Sequence, residues 1–507
     1  MNFLKSFASA GVANSISRIT GYTRDLSTAY FLGVGSVSDI YLAIFRFILS
    51  IKRIISEENF NYSFTPIYLE EKKQSKQLAI SFTFTLLCSL ILLSIISIVF
   101  LFLFSNQIVN FLFSNNIENL YLLSQLDALF KIASLYIFFI VISSVLIGIL
   151  NAERHFFYSL LGPVYLNLSI AISALIFSQS TSEIQLSYIL VYSMLVGGLL
   201  QIIFLLLQAK RLLAAFSINK ILNKLAVKNF FKLAMPFFSS AAIQQLCIII
   251  SVILLSAQSG AISYVYYAER IFFIPVSILG LALTSILIPY FSLDFLENES
   301  KATFASFKQI TRFIFIIGCP ISIWLYFNSH LITAILFGRG EFSASAVLYT
   351  SNVLKLLSIG IPFIFVTKII APLYSSRKEA KLYFMIILFS VFINLFLNIT
   401  LFKLYGYLII PTTYVVANIF LCFGLVYFAF KQKIKNYLGS IIKFFLRLIV
   451  YLGFFGGILM YTLNAFRFEN FYMLILSIIL SLIIGSILLR IFFAEDYISF
   501  TEAMIDK

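Results

Sequence analysis

The sequence predicts an all-α polytopic membrane protein of about 14 transmembrane helices, arranged as two six-helix lobes plus a C-terminal pair. Three observations carry that prediction. Of the 507 residues 61% are hydrophobic and only 11% are charged, with a mean hydropathy of +1.01, whereas soluble domains carry roughly 25% charged residues. The apolar runs are continuous and of the length that crosses a bilayer core as a helix, about 20 residues. They lack the alternation that marks barrel strands. Finally, Lys and Arg collect in the short loops between runs, so the net charge of +15 follows the positive-inside pattern rather than forming a nucleic-acid patch.

Taken in order, the apolar runs place spans near 7–33, 37–64, 78–104, 124–150, 157–178, 185–208, 231–257, 262–292, 308–328, 346–374, 382–403, 406–430, 440–463 and 470–493. Residues Met1 to Asn14 read as the start of the first span, not as a signal segment. Loops alternate in charge. One set holds Lys72, Lys73 and Lys76, Arg154, Lys210 to Lys228, Lys301, Arg377 to Lys381 and Lys431 to Lys435, while the opposite set is nearly free of Lys and Arg. That alternation places both termini in the cytoplasm of a bacterial inner membrane and calls for an even number of spans.

An internal repeat supports the two-lobe reading. Gly35-Ser-Val-Ser38-Asp-Ile-Tyr41-Leu-Ala43 aligns with Gly260-Ala-Ile-Ser263-Tyr-Val-Tyr266-Tyr-Ala268, four identities in nine positions. The expected organisation is an N-terminal lobe over 1–208, a basic connector over 209–230, a C-terminal lobe over 231–430 and a helix pair over 431–507. The connector has the composition of a helix lying on the cytoplasmic face.

Charge inside the spans is where function concentrates, because each ionisable group in a membrane helix costs about 2.5–3.5 kcal/mol on insertion scales unless a partner or a wet cavity receives it. Span 1 carries Arg18, Arg24 and Asp25, and span 2 carries Asp39, Arg46, Arg53 and Glu57, with Lys52 beside them. At 100° per residue Arg46 and Arg53 fall about 20° and 40° from Asp39, and Glu57 returns to its azimuth, so one polar stripe should face a cavity. Span 8 adds Glu269 and Arg270, and span 10 adds Lys355 and Lys368. Architectural ion pairs, Arg18 with Asp25 or Arg53 with Glu57, account for some of these groups. They do not account for the set, in which bases outnumber acids. Surplus arginine in a low-dielectric cavity calls for an anion, and the guanidinium fork suits a phosphate. Arg18, Arg24, Arg53 and Arg270 are therefore the candidate contacts to a diphosphate, with Asp39 and Glu269 orienting them and Asp25, Arg46, Glu57 and Lys368 completing the cavity charge. Lys52, off the stripe, is assigned to the cytoplasmic interface. Pro275, just beyond Arg270, is the candidate hinge.

Other chemistry lacks its residues. Cys88, Cys247, Cys319 and Cys422 lie singly in apolar segments and read as packing residues. His155 and His330 are far apart, so neither a zinc site nor a Ser-His pair assembles, and no cofactor or metal is expected. Gly33-Val-Gly35 has no strand context and reads as a turn.

These residues resemble the MurJ/MviN family of lipid II flippases, within the MOP exporter superfamily. The resemblance rests on Ser17-Arg-Ile-Thr-Gly21-Tyr-Thr-Arg24-Asp25, Phe31-Leu-Gly33, Asp39, Lys52-Arg53, Glu57, Phe60, Phe64 and Pro66. It continues through Tyr266-Tyr267-Ala268-Glu269-Arg270, Pro275, Gly280-Leu-Ala282 and Pro289, then Leu336 to Phe342, and Lys368-Ile-Ile-Ala371-Pro372. It implies two lobes around a cationic cavity, final helices that shape a groove for a polyprenyl tail, and lipid II, a diphosphate-linked glycopeptide, as the substrate. On that resemblance Arg18, Arg24 and Arg270 match cavity arginines, and Arg53 matches the second of an arginine pair. Lys52 stands for the first of the pair, Glu58 for a Gly, Ile48-Leu49 for Pro-Asn and Glu269 for Asp, so the geometry of span 2 is where departure is expected. The rival readings are an O-antigen-type flippase or another exporter of the superfamily, and, from a different class, a polyprenyl-phosphate glycosyltransferase or phosphatase. A cation exporter would need an acid-dominated cavity, an enzyme would need a catalytic loop that the chain lacks, and a non-transporting scaffold leaves the surplus arginines unexplained.

Overall fold

A computed structural model of the chain describes residues 3–55, 57–113, 120–178, 181–213, 223–277, 300–376, 379–466 and 471–505. Among these the structure is helical, with no strand. In chain order the helices are α1 (Phe3–Leu32), α2 (Ser36–Ile54), α3 (Glu57–Gln74), α4 (Lys76–Leu103), α5 (Ser105–Leu112), α6 (Leu120–Ser134), α7 (Tyr136–Ala152), α8 (Phe156–Phe177), α9 (Glu183–Leu213) and α10 (Lys224–Leu255). They continue as α11 (261–277), α12 (Ser300–Phe337), α13 (Ala344–Ser358), α14 (Ile361–Ser376), α15 (Ala380–Tyr405), a 3-10 turn (Gly406–Leu408), α16 (Ile409–Phe466) and α17 (Phe471–Ile505).

Nine helices among the described residues are long and apolar enough to cross a membrane, or ten if the bent pair α13–α14, angled by 47°, is one span. The stretch Lys381–Lys431, 51 residues, holds two of the expected spans. Helices α1, rich in Ser, Thr and Gly, and α2, with four charged residues, are outside this set. Span 2 is also broken: α2 stops at Ile54, and the chain restarts as α3 at Glu57 and runs on to Gln74. The break follows Lys52-Arg53, not Ile48-Leu49, through which α2 is continuous.

The chain forms two compact units, Met1–Ser263 with Gly340–Ser343, and Tyr264–Arg339 with Ala344–Lys507. In the first, α1 lies along α8 and α8 along α9, and Gly197 of α9 meets the α8 backbone, where a Cβ would sit 2.7 Å from Leu166 Cα. Close backbone approach at small residues is the usual device for joining helices in lipid, where the hydrophobic effect supplies no drive. Helix α3 packs on α4, α7 and α10 through an aromatic stack, Phe60 on Phe64, Phe64 on Tyr68 and Phe82, and Phe60 against Phe230. Helix α10, at the head of the expected second lobe, packs on α2, α3 and α4. Most of the expected connector, 214–222, lies outside the described residues.

In the second unit α12 packs on α13, α14, α16 and α17, and α15 packs on α16. A buried polar ladder fixes α15 against α16. Asn398 Nδ2 donates to Asn394 Oδ1 at 3.1 Å, Asn394 Nδ2 donates to Thr413 Oγ1 at 3.4 Å, and Thr413 donates to Asn398. Such bonds contribute about 0.6 kcal/mol each between membrane helices, and fix register more than they add stability. Helix α16 breaks at Phe430 (φ −135°), the boundary expected between spans 12 and 13. The chain's one tryptophan, Trp324 of α12, donates to Ser477 of α17 at 3.3 Å.

Candidate functional site in the charged helices

Arg24 is buried, 7% exposed, at the seam of α1 and α8. Its Nη2 and Nε both donate to Asp25 Oδ1, at 2.7 and 3.0 Å, and its Nη1 donates to Asn167 Oδ1 on α8 at 2.8 Å. The guanidinium also lies over the Phe45 ring of α2, 4.8 Å from its centroid. Asn167 completes the seam by donating to Ser17 O at 3.3 Å. The α8 partner of this cluster was not legible in the sequence, because Asn167 is 143 residues from Arg24 in a span with no charged residue.

Arg18, two turns earlier, is half-buried and has no hydrogen bond or ion pair among the described residues. The expected Arg18–Asp25 pair is not formed, because Asp25 turns to its neighbour Arg24.

Along the continuous helix α2, Asp39, Arg46 and Arg53 have different surroundings. Asp39 is buried, and its carboxylate accepts from the start of α11: Gly260 N at 2.6 Å on Oδ2, with Ser263 N at 2.8 Å and Ser263 Oγ at 2.6 Å on Oδ1. A carboxylate over the unsatisfied amides of a helix N-terminus is stabilised by both hydrogen bonds and the helix dipole. Asp39 is thus bonded to backbone and a serine rather than to an arginine. The two repeat segments meet at this point, Ser38 with Ser263 at 3.2 Å, and Ser36 reaches Ser259, just ahead of the second segment, at 3.0 Å. The position equivalent to Asp39 in the second segment is Tyr264, so the capping carboxylate is found in only one of the two copies.

Arg46, 7% exposed, is buried where α2 meets α10, beside a cavity of about 10 Å³ that Ser50, Ile248 and Val252 also line. That is room for one water at most. Arg53 is exposed and Lys52 half-buried at the end of α2. The azimuth that returned Glu57 to Asp39's face assumed one helix. Glu57 begins α3 instead, and its side chain lies outside the described residues.

A second site element that the sequence named only as a motif is Gly338 to Phe342. Glu341 N donates to Tyr30 O at the end of α1 at 2.9 Å. Gly33 (φ +61°) and Gly340 (φ +62°) make the contact possible: a Cβ on Gly340 would lie 2.2 Å from Tyr30 O, and one on Gly33 would lie 2.4 Å from Glu341 O.

In the second unit Arg270 of α11 is half-buried, with its guanidinium 4.4 Å from the Tyr266 ring centroid, and Glu269 is half-buried beside it. Lys368 of α14 is exposed, and Lys355 of α13 is half-buried. Pro275 sits within α11, which runs to 277; Gly280, Ala282 and Pro289 lie outside the described residues. No group of three or more His, Cys, Asp or Glu that could hold a metal occurs among the described residues.

The family pattern described as Lipid II flippase MurJ matches residues 28–482. The chain belongs to the lipid II flippase MurJ family. A "Probable lipid II flippase MurJ" of Buchnera aphidicola subsp. Schizaphis graminum is 27% identical over 518 residues, all of both chains. The protein of the same description from Aquifex aeolicus is 29% identical over 458 residues, 88% of this chain and 86% of that one. Among solved structures, "Lipid II flippase MurJ, inward closed conformation" matches with a TM-score of 0.80 at 20% identity, over 96% of this chain and 99% of that one. An inward-facing multidrug resistance MATE transporter of the MOP superfamily matches at 0.61 and 13% identity, over 82% and 97%.

Proposed function

We propose that the protein carries lipid II from the cytoplasmic to the periplasmic leaflet of a bacterial inner membrane by alternating access. Membership of the MurJ family makes it a lipid II flippase, a transporter and not an enzyme. Both termini lie in the cytoplasm, and transport runs outward. Arg18, Arg24, Arg53 and Arg270 bind the diphosphate while the polyprenyl tail stays in lipid. The division into lobes over 1–208 and 231–430, with a connector and a final helix pair, supplies two bodies that rock against one another, bending near Pro275.

One observation carries the assignment: the acids cannot cancel the bases. Asp25 is bonded to Arg24, and Asp39 to the α11 start, while Arg18 has no partner among the described residues. An excess of fixed positive charge in an apolar body is stabilised by an anion that enters and leaves, and a diphosphate matches the guanidinium fork. Asp39 has a second part. Its bonds to Gly260 and Ser263 tie the start of α2 to the start of α11.

The test is complementation in a bacterium depleted of its own lipid II flippase. The wild-type chain should restore growth, and Arg270→Ala should not. Failure of a well-inserted wild type, together with rescue of an O-antigen flippase mutant, would move the assignment to that substrate.

A further inference from the structure

The second unit contains a recess of about 840 Å³ between α12, α15 and the two halves of α16, within the size range of ligand pockets, roughly 300–1,000 Å³. Its walls are almost wholly apolar and it opens towards the bilayer, because Phe389, Phe423 and Phe428 in its lining are more than half exposed. No residue of α17 lines it among the described residues, so it is not bounded by both of the final two helices.

One end is cationic. Lys308 and Arg312 of α12 line it, and Arg312 Nη2 donates to Ser440 Oγ at 2.9 Å with its guanidinium 5.2 Å from the Phe444 ring centroid. The stacked pair Phe307–Phe430, 4.7 Å apart, brings the start of α12 to the break in α16, where Lys431 lies 5.8 Å from the ring of the lining residue Tyr427. Between Lys308 and Arg312, the Thr311 hydroxyl is buried with no hydrogen-bond partner among the described residues. On the second half of α16, Lys443 and Arg447 are exposed within one turn of the lining residues Phe444 and Phe445. An apolar recess open to lipid, with basic residues at one end and a hydroxyl there lacking an acceptor, is complementary to an acyl chain attached to a phosphate.

We propose that this recess is a resident lipid site. It holds an acyl chain of an anionic glycerophospholipid whose phosphate sits on Lys308 and Arg312, with Thr311 donating to the headgroup. The lipid is not transported. It fills the gap between α12, α15 and α16 and holds the second half of α16 in place.

Native mass spectrometry of the delipidated full chain, titrated separately with phosphatidylglycerol, phosphatidylethanolamine and undecaprenyl diphosphate, tests this. Phosphatidylglycerol should bind saturably at one site and more tightly than phosphatidylethanolamine. Lys308→Gln with Arg312→Gln should weaken it about 30-fold, equivalent to ~2 kcal/mol for two interfacial cations. Val426→Phe, which fills the recess and leaves the charge intact, should also weaken it. An unchanged Trp324 emission spectrum identifies variants in which α12 and α17 remain docked. Equal affinity for both phospholipids, or wild-type binding by either variant, overturns the proposal. So does undecaprenyl diphosphate displacing phosphatidylglycerol from the site, which would make the recess a seat for the substrate's tail.

Discussion

Arg18 and Arg24 lie two turns apart on α1 and behave differently. Arg24 satisfies Asp25 and Asn167 in a buried seam, so Arg24→Ala breaks a buried ion pair, a change that costs about 3–5 kcal/mol in such settings. Arg18 has no partner among the described residues to strand. Arg18→Ala should therefore abolish flipping with the melting temperature in detergent near wild type, whereas Arg24→Ala should lower both. An Arg18→Ala variant that flips at the wild-type rate contradicts the assignment of Arg18. Asp39→Asn is the third residue-level prediction. The amide has one acceptor oxygen and no charge to set against three donors, so loss of a charge-assisted bond should destabilise the α2–α11 junction by about 1.5–3 kcal/mol. Thermal unfolding of purified protein checks it. The sequence marked Asp39 as unusual but not what it does, because its partners are backbone amides more than 220 positions away, and backbone groups carry no residue signature.

Between elements, legibility followed period and composition. Continuous apolar runs marked most helices, since lipid forces the backbone into helix wherever the chain crosses. The break after Arg53 was not visible, because Ile54, Ile55 and Ser56 contain no Gly or Pro; the azimuth argument that included Glu57 failed for that reason. The Gly340 contact was visible only as a motif. Gly340→Ala meets both a left-handed backbone and a 2.2 Å approach to Tyr30 O, so it should destabilise by at least about 1–3 kcal/mol and loosen the end of α1. Hydrogen exchange at Tyr30 to Leu32 is the measurement. At the α7–α8 turn, burial pushes the Glu153 carboxyl up, but hydrogen bonds from Lys72 and Tyr68 of α3 outweigh it and hold the group below its usual range. A depressed folded value means this tie stabilises above the unfolded carboxyl range, near pH 4.3, and fades as pH falls through the folded value. Wild type should therefore melt higher than Glu153→Gln near neutral pH, and the two should converge in acid. A constant gap across that range would contradict the tie.

For the whole molecule, composition sufficed to give a polytopic membrane protein, and the excess of bases over acids within the spans pointed to an anionic cargo. The motifs of α1, α2 and α11 narrowed that cargo to lipid II, which charge alone could not distinguish from other polyprenyl-diphosphate glycans. If cationic cavity residues return across the field empty, an inside-negative potential assists the cycle at roughly 2.3 kcal/mol per charge per 100 mV. Flipping in vesicles should then accelerate with an imposed potential. The most direct measurement is reconstituted flipping of labelled lipid II by the wild-type chain, Arg18→Ala and Arg270→Ala, scored by accessibility in the opposite leaflet. Wild type should move lipid II, and both variants should not, although they insert normally. An inactive wild type, or arginine variants that flip as fast as it does, would contradict the claim that surplus arginines carry the diphosphate.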